Sequence, residues 1–344
     1  MRALVFRGPA DLGLEEHPDP VPGPDEVLLR ITATGICGSD LHGYTGENGR
    51  RHAGQIMGHE TVGRVVAVGD AVPADLGLVR GAVATVNPVI GCADCPACAD
   101  GSEQLCPRRR VIGVDPTLRS AFAELMTVPA GNVVRLPDNL PEEYGALVEP
   151  LAVGYHAGRR GAVTPADRVL VIGGGPIGQA CALAARRLGA ERVAVSELSA
   201  NRRSLVEKLG FTTVDPAAGT VGDRVRDLLG GPATVVLDAV GTGGSLRDGF
   251  AASGFGARIV LVGMNAPQVS LAAYEVSTHE RSIVGSFCYP SAEFRDTARW
   301  VATDPPGLEY LIEGRVTLAD GPAAFARLAS GELDASKVLV LCQS

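Results

Sequence analysis

The chain has 344 residues, of which 46% are hydrophobic and 20% charged, and its formal net charge is -8. Such a composition excludes a largely disordered chain, and the length suggests roughly two domains of ~150 residues each. The acidic balance, with arginines clustered only at Arg108-Arg109-Arg110, argues against a nucleic-acid partner.

At the N-terminus, Met1 to Arg7 meets charge and then Gly8-Pro9 too soon for a signal peptide, and no apolar run anywhere approaches the ~20 residues that cross a bilayer. A cytoplasmic protein with no membrane partner is expected. In a reducing compartment its eight cysteines serve metal ligation or lie buried as thiols. Residues 1–150 are rich in Gly, Pro and short alternating runs such as Val27 to Ala33 and Val62 to Gly69, which read as short strands of a barrel or sandwich. Within them lie Gly35-Ile36-Cys37-Gly38-Ser39-Asp40-Leu41-His42 and Gly58-His59-Glu60, and Glu149-Pro150 follows downstream. Thiolate, imidazole and carboxylate together suit zinc, and three protein ligands leave a fourth position for a substrate oxygen.

Between these motifs, Cys92, Cys95, Cys98 and Cys106 follow the pattern C-x2-C-x2-C-x7-C. One loop with that spacing can wrap four thiolates around a zinc ion, and an all-thiolate site has no vacancy for chemistry, so this lobe, about 88–110, is read as structural.

After Pro150 the texture changes. Short apolar runs, Val169 to Ile172, Val193 to Val195, Val235 to Leu237, Ile259 to Val262 and Ile283 to Phe287, alternate with helical stretches, the pattern of a parallel sheet covered by crossover helices. Gly173, Gly175 and Gly178 form G-x-G-x-x-G between the first of these strands and a helix, and the next strand ends at Glu197. The glycines allow a tight turn, close approach of a pyrophosphate and helix–strand packing, while a carboxylate at Glu197 can accept from ribose hydroxyls and repels a 2′-phosphate. NAD is therefore favoured over NADP. Arg202 and Arg203 lie close by and keep NADP as the minority reading, with Arg202 more readily covering the adenine face. From Cys288 on, one helix around Ala292 to Val301 and a strand at Lys337 to Leu341 return to the first domain.

Taken together, these motifs resemble the zinc-dependent medium-chain alcohol dehydrogenase family, and within it the polyol branch of sorbitol, threonine and butanediol dehydrogenases. The resemblance spans essentially the whole chain. It implies an α/β protein in which a GroES-like β-rich catalytic domain (1–150, with 288–344 returning to it) accompanies a doubly wound Rossmann domain (151–287), with the active site in the cleft between them. By the same resemblance Cys37 and His59 are catalytic zinc ligands, Glu60 and Glu149 are carboxylates that ligate or hold the zinc-bound water, and Ser39 and His42 form a proton relay through the nicotinamide ribose. Pro176, Ile177, the turn Val262-Gly263-Met264 and Phe287 resemble cofactor contacts. About two zinc ions per chain are expected.

Ser39, Tyr44, Glu60 and Glu149, with Phe122 and Tyr289 nearby, are expected to line the substrate pocket. Cys288-Tyr289 stands where sorbitol dehydrogenases often carry Arg-Tyr, and loss of that guanidinium argues away from sorbitol itself. Aromatics make up 4% of the chain, little material for a bulky apolar pocket, which favours a small hydroxylated substrate. The expected reaction is NAD-dependent oxidation of a secondary alcohol in a polyol, sugar alcohol or cyclitol. A vicinal diol or an amino alcohol would use the same chemistry, and a non-catalytic NAD-binding protein is the reading from another class. A hydrophobic edge strand around Ile283 to Phe287 points to a homo-oligomer, a dimer or tetramer by resemblance.

Overall fold

Along Glu26–Gly35, Val27, Leu29, Ile31 and Ala33 are buried while Leu28, Arg30 and Thr32 are not, the period-two signature of a strand with one face on a core. The computed structural model, which describes residues 1–47 and 49–343, makes this strand the spine of the first of two units. That unit comprises Met1–Glu149 and Tyr289–Ser344; the second is Pro150–Cys288.

In the first unit, one edge of the spine pairs antiparallel with Glu60–Val68. The other edge is shared, Leu125–Pro129 taking its first half and Val338–Leu341 its last three residues. Gly35 consequently stands between Glu60 on one side and Leu339 on the other. The resulting seven-stranded sheet also holds Val83–Val86, Val133–Arg135 and Gly314–Thr317. Its core includes Leu4, Leu29, Ile31, Met57, Met126 and Phe325. Tyr44, expected to line the substrate pocket, and Phe122, expected nearby, both belong to this core. Their rings pack on Phe325 with centroids 5.6 and 5.4 Å away, and the Tyr44 hydroxyl donates to the Ala10 carbonyl at 3.1 Å.

The second unit is a six-stranded parallel sheet in the order Thr212–Val214, Arg192–Ser196, Arg168–Ile172, Ala233–Asp238, Ser253–Leu261, Ser282–Gly285. Numbered along the unit this is 3-2-1-4-5-6, the order of a dinucleotide-binding sheet whose ligand crevice opens where the order reverses, between strands one and four. Val169, Leu170 and Val171 are all fully buried, as expected of strands covered on both faces. Among the described residues no helix is long and apolar enough to cross a membrane.

One polar knot fixes the start of the central strand. Asp167, just ahead of it, accepts from the backbone N–H and hydroxyl of Thr164, both at 2.8 Å, from Thr234 Oγ1 at 2.7 Å and from Arg258 Nη2 at 2.5 Å. Burial opposes its charge, but these hydrogen bonds and the Arg258 guanidinium outweigh it and hold the carboxyl below its ordinary pKa. Replacing Asp167 with asparagine is expected to destabilise this unit by about 1–3 kcal/mol near neutral pH. A depressed folded-state pKa gives stability that is complete above the unfolded value, about 4, and is lost as pH falls through the folded one. Unfolding curves of the two proteins should therefore separate at pH 7 and converge in acid.

Candidate metal centre and dinucleotide loop

Cys37 is the N-cap of the short helix Gly38–Tyr44, and its own N–H donates to Asp40 Oδ2 at 3.2 Å, a local closure that turns the chain from strand into helix. Across the sheet, His59 and Glu60 enter at the head of Glu60–Val68, held beside the end of the spine by the pairing of Gly35 with Glu60. The register thereby gathers residues far apart in sequence. The Cys37 thiol, one ring nitrogen of His59 and one carboxylate oxygen of Glu60 lie within 4.8 Å of one another.

These donors fit a divalent cation better than they fit each other. Glu60 Oε1 is buried without a hydrogen-bond partner, a costly arrangement for a protein core unless something else answers it, while His59 Nδ1 and Asp40 Oδ1 face each other at 3.5 Å. Burial alone would push the His59 imidazole down, yet the Asp40 and Cys37 anions raise it well above its ordinary value. Negative charge from Asp40 and Cys37 thus faces the imidazole. Sulfur, nitrogen and carboxylate oxygen together suit zinc.

A second rank of side chains surrounds the three donors. Asp40 Oδ1 lies 3.5 Å from His59 Nδ1 and 3.6 Å from Arg51 Nη2, so a buried carboxylate backs the imidazole as outer partners of metal-binding histidines do. Lys337 forms a buried ion pair with Glu60 Oε2. Glu149 is not drawn into the three-donor set; its Oε1 accepts from the hydroxyl of fully buried Tyr289 at 2.8 Å. Burial, reinforced by the like charge of Glu60, pushes Glu149 up to about 7 against the pull of His59 and Tyr289. Ser39 Oγ is 3.5 Å from His59 Nε2, and His42, on the same helix, has Nδ1 2.8 Å from Glu47 Oε2.

The cysteine lobe closes on itself as its spacing predicts. Ligand atoms of Cys92, Cys95, Cys98 and Cys106 all fall within 4.8 Å of one another, a cluster that fits a structural zinc. Arg108 Nη2 donates to Cys92 Sγ at 3.1 Å and pairs with Asp94. Glu103 accepts the backbone N–H of Ser291 at 3.1 Å, and Asn87 donates to the Ser291 hydroxyl at 3.0 Å, tying the lobe to the start of the helix Ser291–Val301 and hence to Tyr289.

In the second unit, Gly173 leaves the central strand with φ +95°, a left-handed turn that favours glycine, and a Cβ on Gly178 would collide with the Gly173 carbonyl. Pro176 and Ile177 begin the helix Pro176–Arg187, capped by Gly175. Glu197 is held by backbone: Oε2 accepts from Gly174 N–H at 2.6 Å and Oε1 from Ser199 N–H at 2.7 Å. Arg202 brings a guanidinium nitrogen to 3.7 Å from where a Gly175 side chain would begin, while Arg203 turns away to the carbonyls of Glu197 and Leu198 and to Asp215. Val262 and Gly263 both donate to the Asp238 carbonyl, at 3.0 and 2.9 Å, beside the end of strand four; Met264 and Phe287 are exposed.

Sequence reasoning passed over Asp40, Arg51 and Lys337. Asp40 carries a faint signal, an acidic residue in a helix's first turn, but nothing in the pattern says that it is buried. Lys337, ahead of Val338-Leu339-Val340-Leu341, reads as an ordinary charge flanking a strand.

Comparison with known proteins agrees with this arrangement. The alcohol dehydrogenase GroES-like domain matches residues 23–138 and the zinc-binding dehydrogenase domain matches residues 176–303. L-galactonate-5-dehydrogenase of Escherichia coli (strain K12) is 31% identical over 320 residues, covering 93% of this chain and 92% of that protein. Sorbitol dehydrogenase of Ovis aries is 36% identical over 293 residues, 83% of this chain and 82% of that one. A Sinorhizobium meliloti 1021 protein described as a zinc-binding dehydrogenase, solved bound to NADP, superposes with a TM-score of 0.90 at 31% identity over 99% of this chain and 98% of its own. Motifs, strand order, metal-ligand clusters and relatives converge: the chain belongs to the zinc-dependent alcohol dehydrogenase family, in the branch of the polyol dehydrogenases.

Proposed function

We propose that the protein is a zinc-dependent oxidoreductase that transfers a hydride between a secondary alcohol of a polyol, sugar alcohol or cyclitol and NAD. The observation that carries this reading is the cluster of Cys37, His59 and Glu60, half-buried at the thiol and buried at the other two, in which Glu60 Oε1 has no hydrogen-bond partner. Bound there, zinc would act as a Lewis acid that acidifies a substrate hydroxyl. NAD, held on the Gly173 to Gly178 loop, would accept the hydride.

The chain's own residues divide the remaining work. Cys37, His59 and Glu60 hold the metal; Glu149, oriented by Tyr289, is the carboxylate next to it rather than one of the three donors. Asp40 fixes the His59 ring from behind. Ser39 is the hydroxyl suited to take the substrate's proton, and His42, exposed and bonded to Glu47, to hand it to solvent. In the second unit the N-terminus of Pro176–Arg187 suits a diphosphate. Glu197, held by two backbone amides, keeps lone pairs for the ribose hydroxyls and disfavours a 2′-phosphate there. Arg202, reaching the same loop, is the group that would favour NADP.

The relatives' names concern polyhydroxylated substrates, which supports that class over bulky apolar alcohols. The thiol chemistry of two metal clusters suits a reducing compartment such as the cytoplasm. Ser282–Gly285 lies at the edge of its sheet, an edge suited to pairing between copies in a dimer or tetramer.

A screen of polyols, cyclitols, vicinal diols and amino alcohols, followed by nicotinamide absorbance with NAD and NADP in parallel, tests the proposal. Turnover is expected with hydroxylated substrates, and kcat/KM with NAD should exceed that with NADP by about tenfold or more, since a 2′-phosphate would meet the Glu197 charge. Absence of turnover with every alcohol, in protein carrying both zinc ions, would point instead to a non-catalytic NAD-binding role.

A further inference from the structure

Lys337 is a cation placed where a cation opposes the binding of another. Its side chain is 3% exposed, its ammonium donates to Glu60 Oε2, and it lies 3.4 Å from the carbonyl of Ile36, the residue preceding Cys37. Room for this is made by Gly35, which stands in register between Glu60 and Leu339. A Cβ there would collide with the Glu60 carboxylate and come within 3.1 Å of Lys337 Cδ. The fold thus gives up a side chain in the middle of its sheet so that lysine and glutamate can meet. Meanwhile Glu60 Oε1 is buried and has no hydrogen-bond partner. The carboxylate is divided, one oxygen held by the ammonium and one left bare, in a residue that brings a carboxylate oxygen within 4.8 Å of a thiol and an imidazole nitrogen.

We propose that Lys337 is a positioning residue that competes with the metal for Glu60. By holding Oε2 it limits Glu60 to a single oxygen for the ion, and it sets a fixed positive charge against the centre. Both effects keep the metal electron-poor and exchangeable. The inference rests on the zinc reading above and extends it: the strength with which the centre holds its ion is set from outside the ligand set. The electrostatic sign is definite. Removing a buried unit charge of the same sign as the ion, in surroundings far less polarisable than water, makes the centre more attractive to that ion and frees a second carboxylate oxygen for it.

The test is the release of zinc from the purified, fully loaded protein into a colorimetric chelator. The phase belonging to this centre is identified as the one missing in His59→Ala. Lys337→Met should slow that phase by on the order of tenfold, whereas Lys337→Arg, which retains the charge, should follow the wild type. Lys337→Gln, a smaller disturbance to folding, carries the same expectation as the methionine variant and decides the matter where methionine does not fold. With cobalt replacing zinc, the visible spectrum of the neutral variants should change, reporting the freed carboxylate oxygen, and that of Lys337→Arg should not. Release from the neutral variants within about twofold of wild type, or faster, overturns the proposal and leaves Lys337 a packing residue. Wild-type protein that lacks the His59-dependent phase altogether sinks the zinc reading itself, a failure distinct from that of Lys337.

Discussion

Replacing Cys37 with serine is expected to leave about one zinc ion per chain instead of about two, and to lower turnover by at least about a thousandfold. The hydroxyl of serine stays protonated at neutral pH, so the centre loses both a soft donor and a negative charge. His59 and Glu60 alone then compete poorly with water for the ion. A Lewis acid supplies several kcal/mol of charge stabilisation, and each 1.36 kcal/mol is about tenfold in rate. The fold should tolerate the change: Cys37 is only half-buried, its N–H donates to Asp40 Oδ2, and serine is a favoured N-cap residue. Metal analysis alongside kinetics checks both halves. A serine variant that keeps both ions and turns over within about tenfold of wild type would remove Cys37 from the centre.

Serine at Cys106 should have the opposite profile, large in stability and smaller in chemistry. Cys106 is fully buried in a lobe otherwise held by short strands, Val89–Ile90 with Arg110–Val111, and by turns. Among the described residues Leu105 of this lobe even faces solvent, so the metal takes the place of a core. Structural zinc sites contribute apparent binding free energies of about 10–16 kcal/mol in small peptides, and that energy is folding energy. Loss of one thiolate is therefore expected to release the lobe's ion, expose the segment to proteases and lower the unfolding temperature. Turnover should also fall, by around tenfold, because the lobe's Glu103 holds Ser291 and the chain next to it carries Tyr289 to Glu149. Limited proteolysis with metal analysis follows the first effect. Catalysis by the surviving folded fraction follows the second.

How much of this could be read from the amino acids depended on whether the information was local. The cysteine lobe and the glycine loop are written in consecutive residues whose spacing dictates one geometry, and their structures match the spacing. The stretch Cys37 to His42 and the pair His59-Glu60 were legible as metal chemistry for the same reason. Asp40 and Lys337 were not, because their importance lies in burial and in strand register. Lys337 reaches Glu60 only because Leu339 and Glu60 flank the same glycine. Tyr44 and Phe122 misled for a related reason: polarity and position near a motif say nothing about which face of an element a ring occupies, and the Phe325 ring that decides it lies far along the chain. Glu149, read by resemblance as a carboxylate that ligates or holds the zinc-bound water, accepts from Tyr289 and stands outside the three-residue cluster.

The meeting of Glu60 with Lys337 also bears on how the protein is born. They are 277 positions apart, and the whole parallel-sheet unit is threaded between them. During synthesis the glutamate and its neighbouring thiol emerge long before the lysine, so for many seconds the nascent β-rich lobe presents bare acidic ligands without their internal counterion. A divalent ion could be captured in that interval more avidly than by the finished protein. The final strand, by zipping against residues 33–35, would then loosen the grip to its working strength.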